Sequence, residues 1–257
     1  MRIQPGLRVL VTGGASGIGW AIAVALQEQG SRVHLCDASS EQLEQALGQM
    51  PAMTGSVADV SDEQDVERLF EDLRRCLDGL DVLINNAGIA GPTAAVEDIT
   101  PGDWSRTLAV NTTGQFLCAR RAVPLLKAAG GGSIINISSV AGRLGYPLRT
   151  PYAASKWAVI GFTESLAMEL GPHDIRVNAL LPGLVEGERI RRVIAARAAA
   201  EEVAYDEMER QYLDRVSLRR MVTASDVAAM AVFLCSPAGR NISGQSLGVC
   251  GNVEVLQ

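Results

Sequence analysis

The chain has 257 residues, 23 basic against 29 acidic side chains, a net charge of −6 and 47% apolar residues. A chain of this length buries most of its apolar surface without disulfide or metal staples, and an acidic balance without any basic run argues against a nucleic-acid backbone as partner, because phosphate binding needs clustered Lys and Arg. No stretch approaches the roughly 20 apolar residues that cross a bilayer, and the N-terminal residues carry no apolar signal core, so a soluble, unexported, cytoplasmic protein without a membrane partner is expected.

Short runs rich in Val, Ile and Leu, at 8–12, 32–37, 81–85, 133–138, 176–181 and 246–250, alternate with longer helical patterns. Continuous apolar runs of this kind fit strands covered by helices on both faces, the signature of a parallel α/β sheet. The first run leads into Gly13-Gly14-Ala15-Ser16-Gly17-Ile18-Gly19 and then a helix over 20–29 closed by Gly30. Glycines at a strand-to-helix turn let the backbone approach a pyrophosphate, and the helix N-terminus offers that anion free N–H groups and partial positive charge. The second run ends at Asp37, where a carboxylate accepts hydrogen bonds from the adenosine ribose and repels a 2′-phosphate. With uncharged Gly14, Ala15, Ser16 and Ala38 nearby, the expected cofactor is NAD rather than NADP; the alternative for Asp37 is a cap for the next helix.

Further along, Ser39 to Gln42 and Ser61 to Gln64 both read S-x-x-Q, a capping box. Thr150 before Pro151 offers an N-cap with proline at the first helical position, and that helix runs about twenty residues to Gly171-Pro172. Residues 183–220 are polar and charge-dense, and are expected to form a helical insertion over the site. No repeat or linker divides the chain, so residues 1–257 are expected to form one domain. Cys36, Cys76, Cys118, Cys235 and Cys250 are scattered without a C-x-x-C pair, so they are expected to be reduced and packed. His34 and His173 are the only histidines; a strand side chain and a turn residue are the expected roles, which leaves no basis for a histidine triad or metal site.

Five motifs in order resemble the classical short-chain dehydrogenase/reductase family over nearly the whole chain: the glycine run from Thr12 to Gly19, Asp59-Val60, Asn85-Asn86-Ala87-Gly88 with Asn111 beyond it, Ser139 with Tyr152-Ala153-Ala154-Ser155-Lys156, and Pro182-Gly183. The resemblance implies a doubly wound Rossmann-like domain of about seven parallel strands, a nicotinamide cofactor and a homotetramer or homodimer. It implies that Asp59 contacts adenine, that Asn86, Ala87 and Gly88 shape the strand end beside the cofactor, that Lys156 binds the nicotinamide ribose, and that Asn111 holds a water linking Lys156 to solvent. Tyr152 and Lys156 are four apart on one helix face, and a nearby ammonium favours phenolate, making Tyr152 a usable acid/base. Ser139, thirteen residues before Tyr152 as in the family, would hydrogen-bond the substrate oxygen, whereas its rival Ser138 points the other way.

Two departures from the family stand out. A threonine that commonly follows Pro182-Gly183 is missing, leaving main-chain groups near Val185 to bind the nicotinamide carboxamide, and Cys250-Gly251-Asn252 replaces the usual Asp-Gly-Gly. The substrate pocket is expected from residues 140–148, those beyond Gly88 and the insertion. Arg143, Arg149 and Arg189 are candidates for an anionic substrate group, or else partners of carbonyls or acidic neighbours on loops. Val159, Phe162, Leu166 and Leu170 form an apolar stripe that is either core or a subunit interface. The leading expectation is an NAD-dependent dehydrogenase interconverting a secondary alcohol and a ketone. The alternatives are an NADP-dependent 3-oxoacyl reductase and a non-catalytic nucleotide-sensing regulator.

Overall fold

A computed structural model describes residues 3–256. Seven parallel strands form one sheet in the order β3-β2-β1-β4-β5-β6-β7. They are β1 Arg8–Thr12, β2 Arg32–Asp37, β3 Thr54–Val57, β4 Val82–Asn85, β5 Gly132–Ile137, β6 Ile175–Pro182 and β7 Ser246–Val249. Six of these lie within a residue of the apolar runs. The seventh, β3, has no such run: it reads Thr-Gly-Ser-Val, buries only Ser56 and leaves Val57 57% exposed at the sheet edge. A Cβ on its Gly55 would meet Leu43 Cδ1 at 2.8 Å and Leu35 O at 3.2 Å, so the glycine suits a close approach of the Ser40–Gln49 helix to the edge.

Side chains alternate across each strand, so the two faces feed two cores. Val9, Val11, Ile84 and Ile135 pack under α1 (Gly17–Glu28) and α9 (Ala224–Cys235), whereas Leu10, Leu83 and Ile134 pack under α3 (Glu63–Leu77), α5 (Gly114–Ala128) and α6 (Thr150–Leu170). Helix α3 shows the logic most plainly: Val66, Leu69, Phe70, Leu73 and Leu77 are its buried residues and fall on one stripe. Chain order reverses between β1 and β4, and in open α/β sheets such a switch point opens the ligand crevice at the strand carboxyl ends.

Helix ends correct several local expectations. Ser39 caps α2 (Ser40–Gln49) by accepting from Gln42 N, but the cap of α3 is Asp62, which accepts from Gln64 N and Asp65 N. Ser61 instead donates to Asp59 Oδ1 at 2.7 Å. Arg149, not Thr150, occupies the cap position of α6, which makes no side-chain capping bond. The helix that carries Asn111 is broken: α4 (Pro101–Leu108) and α5 are joined by a π-helical turn, Ala109–Thr113. Val159 and Leu170 of the apolar stripe are buried core residues, with Phe162 and Leu166 packed partly against that core; the exposed apolar residues of α5 and α6 are Phe116, Trp157 and Met168. All five cysteines are free, and Cys76 is exposed rather than packed. His34 bonds Thr54 Oγ1 and Ser56 Oγ inside the β2–β3 pair, while His173 lies in a 3-10 turn after α6.

The 183–220 segment holds α7 (Glu188–Ala200) and α8 (Tyr205–Asp214). Ile194, Ala198, Met208 and Tyr212 of these helices pack on Val140, Ala141 and Tyr146, forming a third apolar cluster beside the sheet's carboxyl end. The Cys250-Gly251-Asn252 turn fastens to the same segment, with Ser217 N donating to Asn252 O at 2.9 Å and Leu218 N to Gly251 O at 3.1 Å.

Candidate active site

A cleft of about 680 Å³ opens where β1, β4, β5 and β6 end, roofed by the start of α7. At one end it is floored by Gly13, Ser16, Gly17 and Ile18. Two glycines of this loop are set by close packing: a Cβ on Gly13 would meet Ala87 Cα at 2.9 Å, and one on Gly19 would meet Gly13 O at 2.1 Å. Gly19 therefore lies beneath the cleft rather than in its wall. Gly17 differs, with φ +55° and nothing within 4 Å of a notional Cβ, so its backbone faces open space. Ser16 makes no side-chain cap at α1, leaving the first-turn N–H groups to an external acceptor. An uncapped helix N-terminus behind an open glycine fits a dinucleotide pyrophosphate.

Asp37 enters the cleft from the end of β2. Its Oδ2 accepts from Ala15 N at 3.2 Å and its Oδ1 from Ser39 N at 3.1 Å, which fixes the carboxylate without making it the helix cap. Val60 lines the wall beside Asp59. Burial works to raise the Asp59 carboxyl, but hydrogen bonds from Ser61 and the ion pair with Arg106 outweigh it and hold the group below the usual range. Arg106, which sequence reasoning passed over, lines the cleft, but its charge is engaged: Nη2 donates to Asp59 Oδ2 and Nη1 to Ser61 Oγ. Asn86 ties β4 to the glycine loop, donating from Nδ2 to Gly13 O at 2.8 Å and Thr12 O at 3.0 Å.

Ser139, Tyr152 and Lys156 meet at the other end of the cleft with Gly88, Pro182, Gly183 and Val185. The two serines at the end of β5 have separate tasks. Ser138 Oγ donates to Lys156 O at 2.8 Å and locks α6 to the sheet, whereas Ser139 Oγ accepts only from Ala141 N at 3.2 Å. Lys156 is 3% exposed, donates from Nζ to Ile137 O at 2.9 Å and stands 5.7 Å from the centre of the Tyr152 ring. Burial pushes its ammonium down to about 7, and the charge of Arg189 acts in the same direction. Asn111 is fully buried and does not line the cleft. Its Oδ1 accepts from Ile89 N, and its Nδ2 donates to Ile89 O and Ser155 Oγ. The side-chain amide thus braces Ile89 and the turn of α6 that carries Tyr152, with one acceptor site of Oδ1 unused.

Val185 forms a bridge to Val222 through its neighbours, Glu186 N donating to Val222 O and Val222 N to Leu184 O. Val185's own N–H and C=O consequently face away from that bridge. The three candidate arginines all bond carbonyls: Arg143 to Ser246 O, Arg149 to Ala90 O and Arg189 to Gly88 O. Arg143 is exposed and outside the cleft, while Arg149 and Arg189 line it. Tyr146, within the expected 140–148 stretch, lines the cleft, as do Ala224 and Leu256, which carried no motif signal. Among the described residues no group of three or more His, Cys, Asp or Glu side chains is placed to hold a metal ion, and no helix is long and apolar enough to cross a membrane.

A family model described as enoyl-(acyl carrier protein) reductase matches residues 13–252, spanning every element from the glycine loop to the turn after β7. The chain belongs to the short-chain dehydrogenase/reductase family. A sorbitol dehydrogenase of Cereibacter sphaeroides is 36% identical over 253 residues, which cover 98% of this chain and 98% of the relative. Among solved structures, NAD+-bound xylitol dehydrogenase superposes with a TM-score of 0.93 at 30% identity, covering 96% of this chain and 99% of that one. Actinorhodin polyketide ketoreductase with NADPH gives the same TM-score, 0.93, at 33% identity, with 99% of each chain covered. As a short-chain dehydrogenase/reductase the protein has the fold that binds a nicotinamide cofactor and is an oxidoreductase of the alcohol–ketone type.

Proposed function

We propose that the protein is an NAD-dependent dehydrogenase interconverting a secondary alcohol and a ketone, with Tyr152 as general acid and base. One observation carries this reading: Ser139, Tyr152 and Lys156 line the same cleft as the uncapped α1 N-terminus and Asp37. When bound, the dinucleotide supplies the acceptor or donor of hydride. Gly13, Ser16, Gly17 and Ile18 hold its pyrophosphate, with Gly19 keeping the loop tight. Asp37 takes the adenosine ribose, and Asp59 and Val60 border the adenine. Asn86, Ala87 and Gly88 form the wall, Tyr152 and Lys156 take the second ribose, and Pro182, Gly183 and the free peptide groups of Val185 meet the carboxamide.

In ketone reduction the Tyr152 hydroxyl gives its proton to the carbonyl oxygen, and in alcohol oxidation the phenolate takes it back. Ser139 Oγ, spared the structural bond that occupies Ser138, donates to the same oxygen. Lys156 stands ready to exchange a proton near neutrality because burial has brought its amine there. Asn111 braces Ile89 and Ser155 with its side chain and holds the water that links Lys156 to solvent. Exposed Phe116, Trp157 and Met168 on α5 and α6 are the apolar surface that subunits of a homotetramer would cover, which light scattering checks directly.

An NADPH-dependent ketoreductase is the second reading, favoured by the NADPH-bound neighbour and opposed by Asp37, whose charge would face a 2′-phosphate. A purely nucleotide-sensing protein would have no use for the Ser139, Tyr152 and Lys156 set. The deciding experiment follows reduced-nicotinamide absorbance with NAD and NADP in parallel, over polyols, sugars, hydroxy acids and cyclic alcohols. Polyols come first, as the relatives named for sorbitol and xylitol suggest. Turnover with NAD is expected, with a loss of about a hundredfold or more in Tyr152→Phe; undiminished turnover in that variant overturns the assignment.

A further inference from the structure

The Cys250-Gly251-Asn252 turn after β7 redirects the chain onto the segment that follows α8. Gly251 and Asn252 both take positive φ, +63° and +61°. Beyond them Val253 bridges Val216 in the antiparallel sense, and Glu254 N donates to Arg215 O at 3.0 Å. Side chains add to this clasp, Asn252 Nδ2 donating to Ser217 Oγ at 2.7 Å and Ser217 Oγ to Glu254 Oε1 at 2.8 Å. Glu254 and Val255 are then exposed, whereas Val253 and Leu256 are buried. Leu256 is 5% exposed, belongs to the apolar cluster that holds Val140, Tyr146 and Leu184, and lines the cleft. Tyr152 packs against the same cluster, which puts Leu256 at the chemical end of the cleft rather than the dinucleotide end.

We propose that Leu256 is a specificity-determining residue: the substrate is a secondary alcohol or ketone with one apolar alkyl or alicyclic arm, and the Leu256 side chain stops that arm. The idea deepens the dehydrogenase reading and rests on it for the reacting atoms, Ser139 and Tyr152 taking the carbinol oxygen. Val140, Tyr146, Leu184 and Ile190 join Leu256 in the apolar part of the lining. Such a wall rewards apolar surface removed from water and offers a hydroxyl-bearing arm nothing to replace its hydration. The two arginines that line this end are each spent on a carbonyl, Arg149 on Ala90 O and Arg189 on Gly88 O. The clasp ends at Glu254, so a substitution at Leu256 reshapes the cleft and leaves the bridge to Val216 in place.

Chain length is the probe. Secondary alcohols lengthened one methylene at a time, with cyclohexanol and a tetritol beside them, are offered to the wild type, Leu256→Ala and Leu256→Phe with dinucleotide present. In the wild type kcat/KM is expected to climb on the order of tenfold per methylene and to break at the length where the arm meets Leu256. Leu256→Ala shortens the stop and should move the break to longer alcohols, whereas Leu256→Phe should move it to shorter ones. Opposite shifts, with circular dichroism unchanged, separate a wall from a general loss of fold, and if Leu256→Ala does not fold the shift in Leu256→Phe decides. The same breaks are read as ligand affinity by calorimetry, which needs no turnover. A break fixed at one length in every variant overturns the proposal, as does a shift in the same direction in both. A wild type that shows no break, prefers the tetritol or binds no alkyl alcohol overturns it too. Shifted affinity breaks in a protein that oxidises none of these alcohols sustain the role of Leu256 and refute the dehydrogenase reading instead.

Discussion

The two ends of the cleft are built by different means. At the dinucleotide end the chain relies on backbone: glycines that allow peptide groups to touch, an uncapped helix start and one strand-terminal carboxylate, all within β1, α1 and β2. At the chemical end it relies on side chains brought from β5, α6, α7 and the segment after β4, and their meaning depends on what else they bond. Ser138 and Ser139 are neighbours of identical chemistry, yet one is consumed by Lys156 O and the other is not. The backbone end therefore tolerates almost no change of shape, and the side-chain end almost no change of chemistry.

The sharpest break of that contrast is the serine pair. Ser139→Ala should lower kcat on the order of a hundredfold, as loss of a hydrogen bond to a developing oxyanion does, with thermal stability unchanged. Ser138→Ala should lower stability by about 1 kcal/mol in denaturant melts and leave the acid/base pH profile in place. Exchanged outcomes would reassign the two residues. At the backbone end, Gly19→Ala puts a methyl 2.1 Å from Gly13 O, and overpacking of that kind costs about 1–3 kcal/mol. Dinucleotide affinity by calorimetry should fall with it, whereas Gly17→Ala meets no atom within 4 Å but carries the strain of φ +55°, about 1–2 kcal/mol, and should weaken binding as well.

A smaller effect is expected from charge. Asp37→Ala should narrow the preference for NAD over NADP by about tenfold, the equivalent of roughly 1.4 kcal/mol, read as the ratio of kcat/KM values; an unaltered ratio would leave Asp37 as a support for Ala15 and Ser39 only. A further test lies at the border between the two ends. Lys156 is protonated in the unfolded chain up to its ordinary 10.5 but releases its proton near 7 when folded. Between those values the unfolded state binds more protons, so this group makes stability rise with pH from about 7 toward 10.5. Lys156→Met should flatten that rise in melts taken across this range, and an unchanged slope would place the buried amine's titration elsewhere.

Much of the fold was legible because a strand covered on both faces has to be apolar throughout: Arg8–Thr12 and Arg32–Asp37 agree to the residue. Edge strand β3 escaped because half of it faces water and its Gly55 packs near Leu43, twelve residues away in sequence. The cap of α3 was misplaced by one residue because Ser61 and Asp62 both suit a cap, and the choice turned on Asp59 drawing Ser61 away. Arg106 and Leu256 left no trace in any motif, since lining a cleft requires only position.

By itself the sequence determined the glycine loop, the carboxylate at the end of β2 and the Tyr152–Lys156 spacing, because each depends on neighbours within a strand, a turn or a helical repeat. Tertiary structure alone decided that Asn111 spends its amide on Ile89 and Ser155, that Ser138 locks while Ser139 stays available, and that Arg149 lies buried between two tyrosines. Those outcomes depend on which distant groups arrive within hydrogen-bond reach once the sheet has closed, and no local pattern of residue types encodes that meeting.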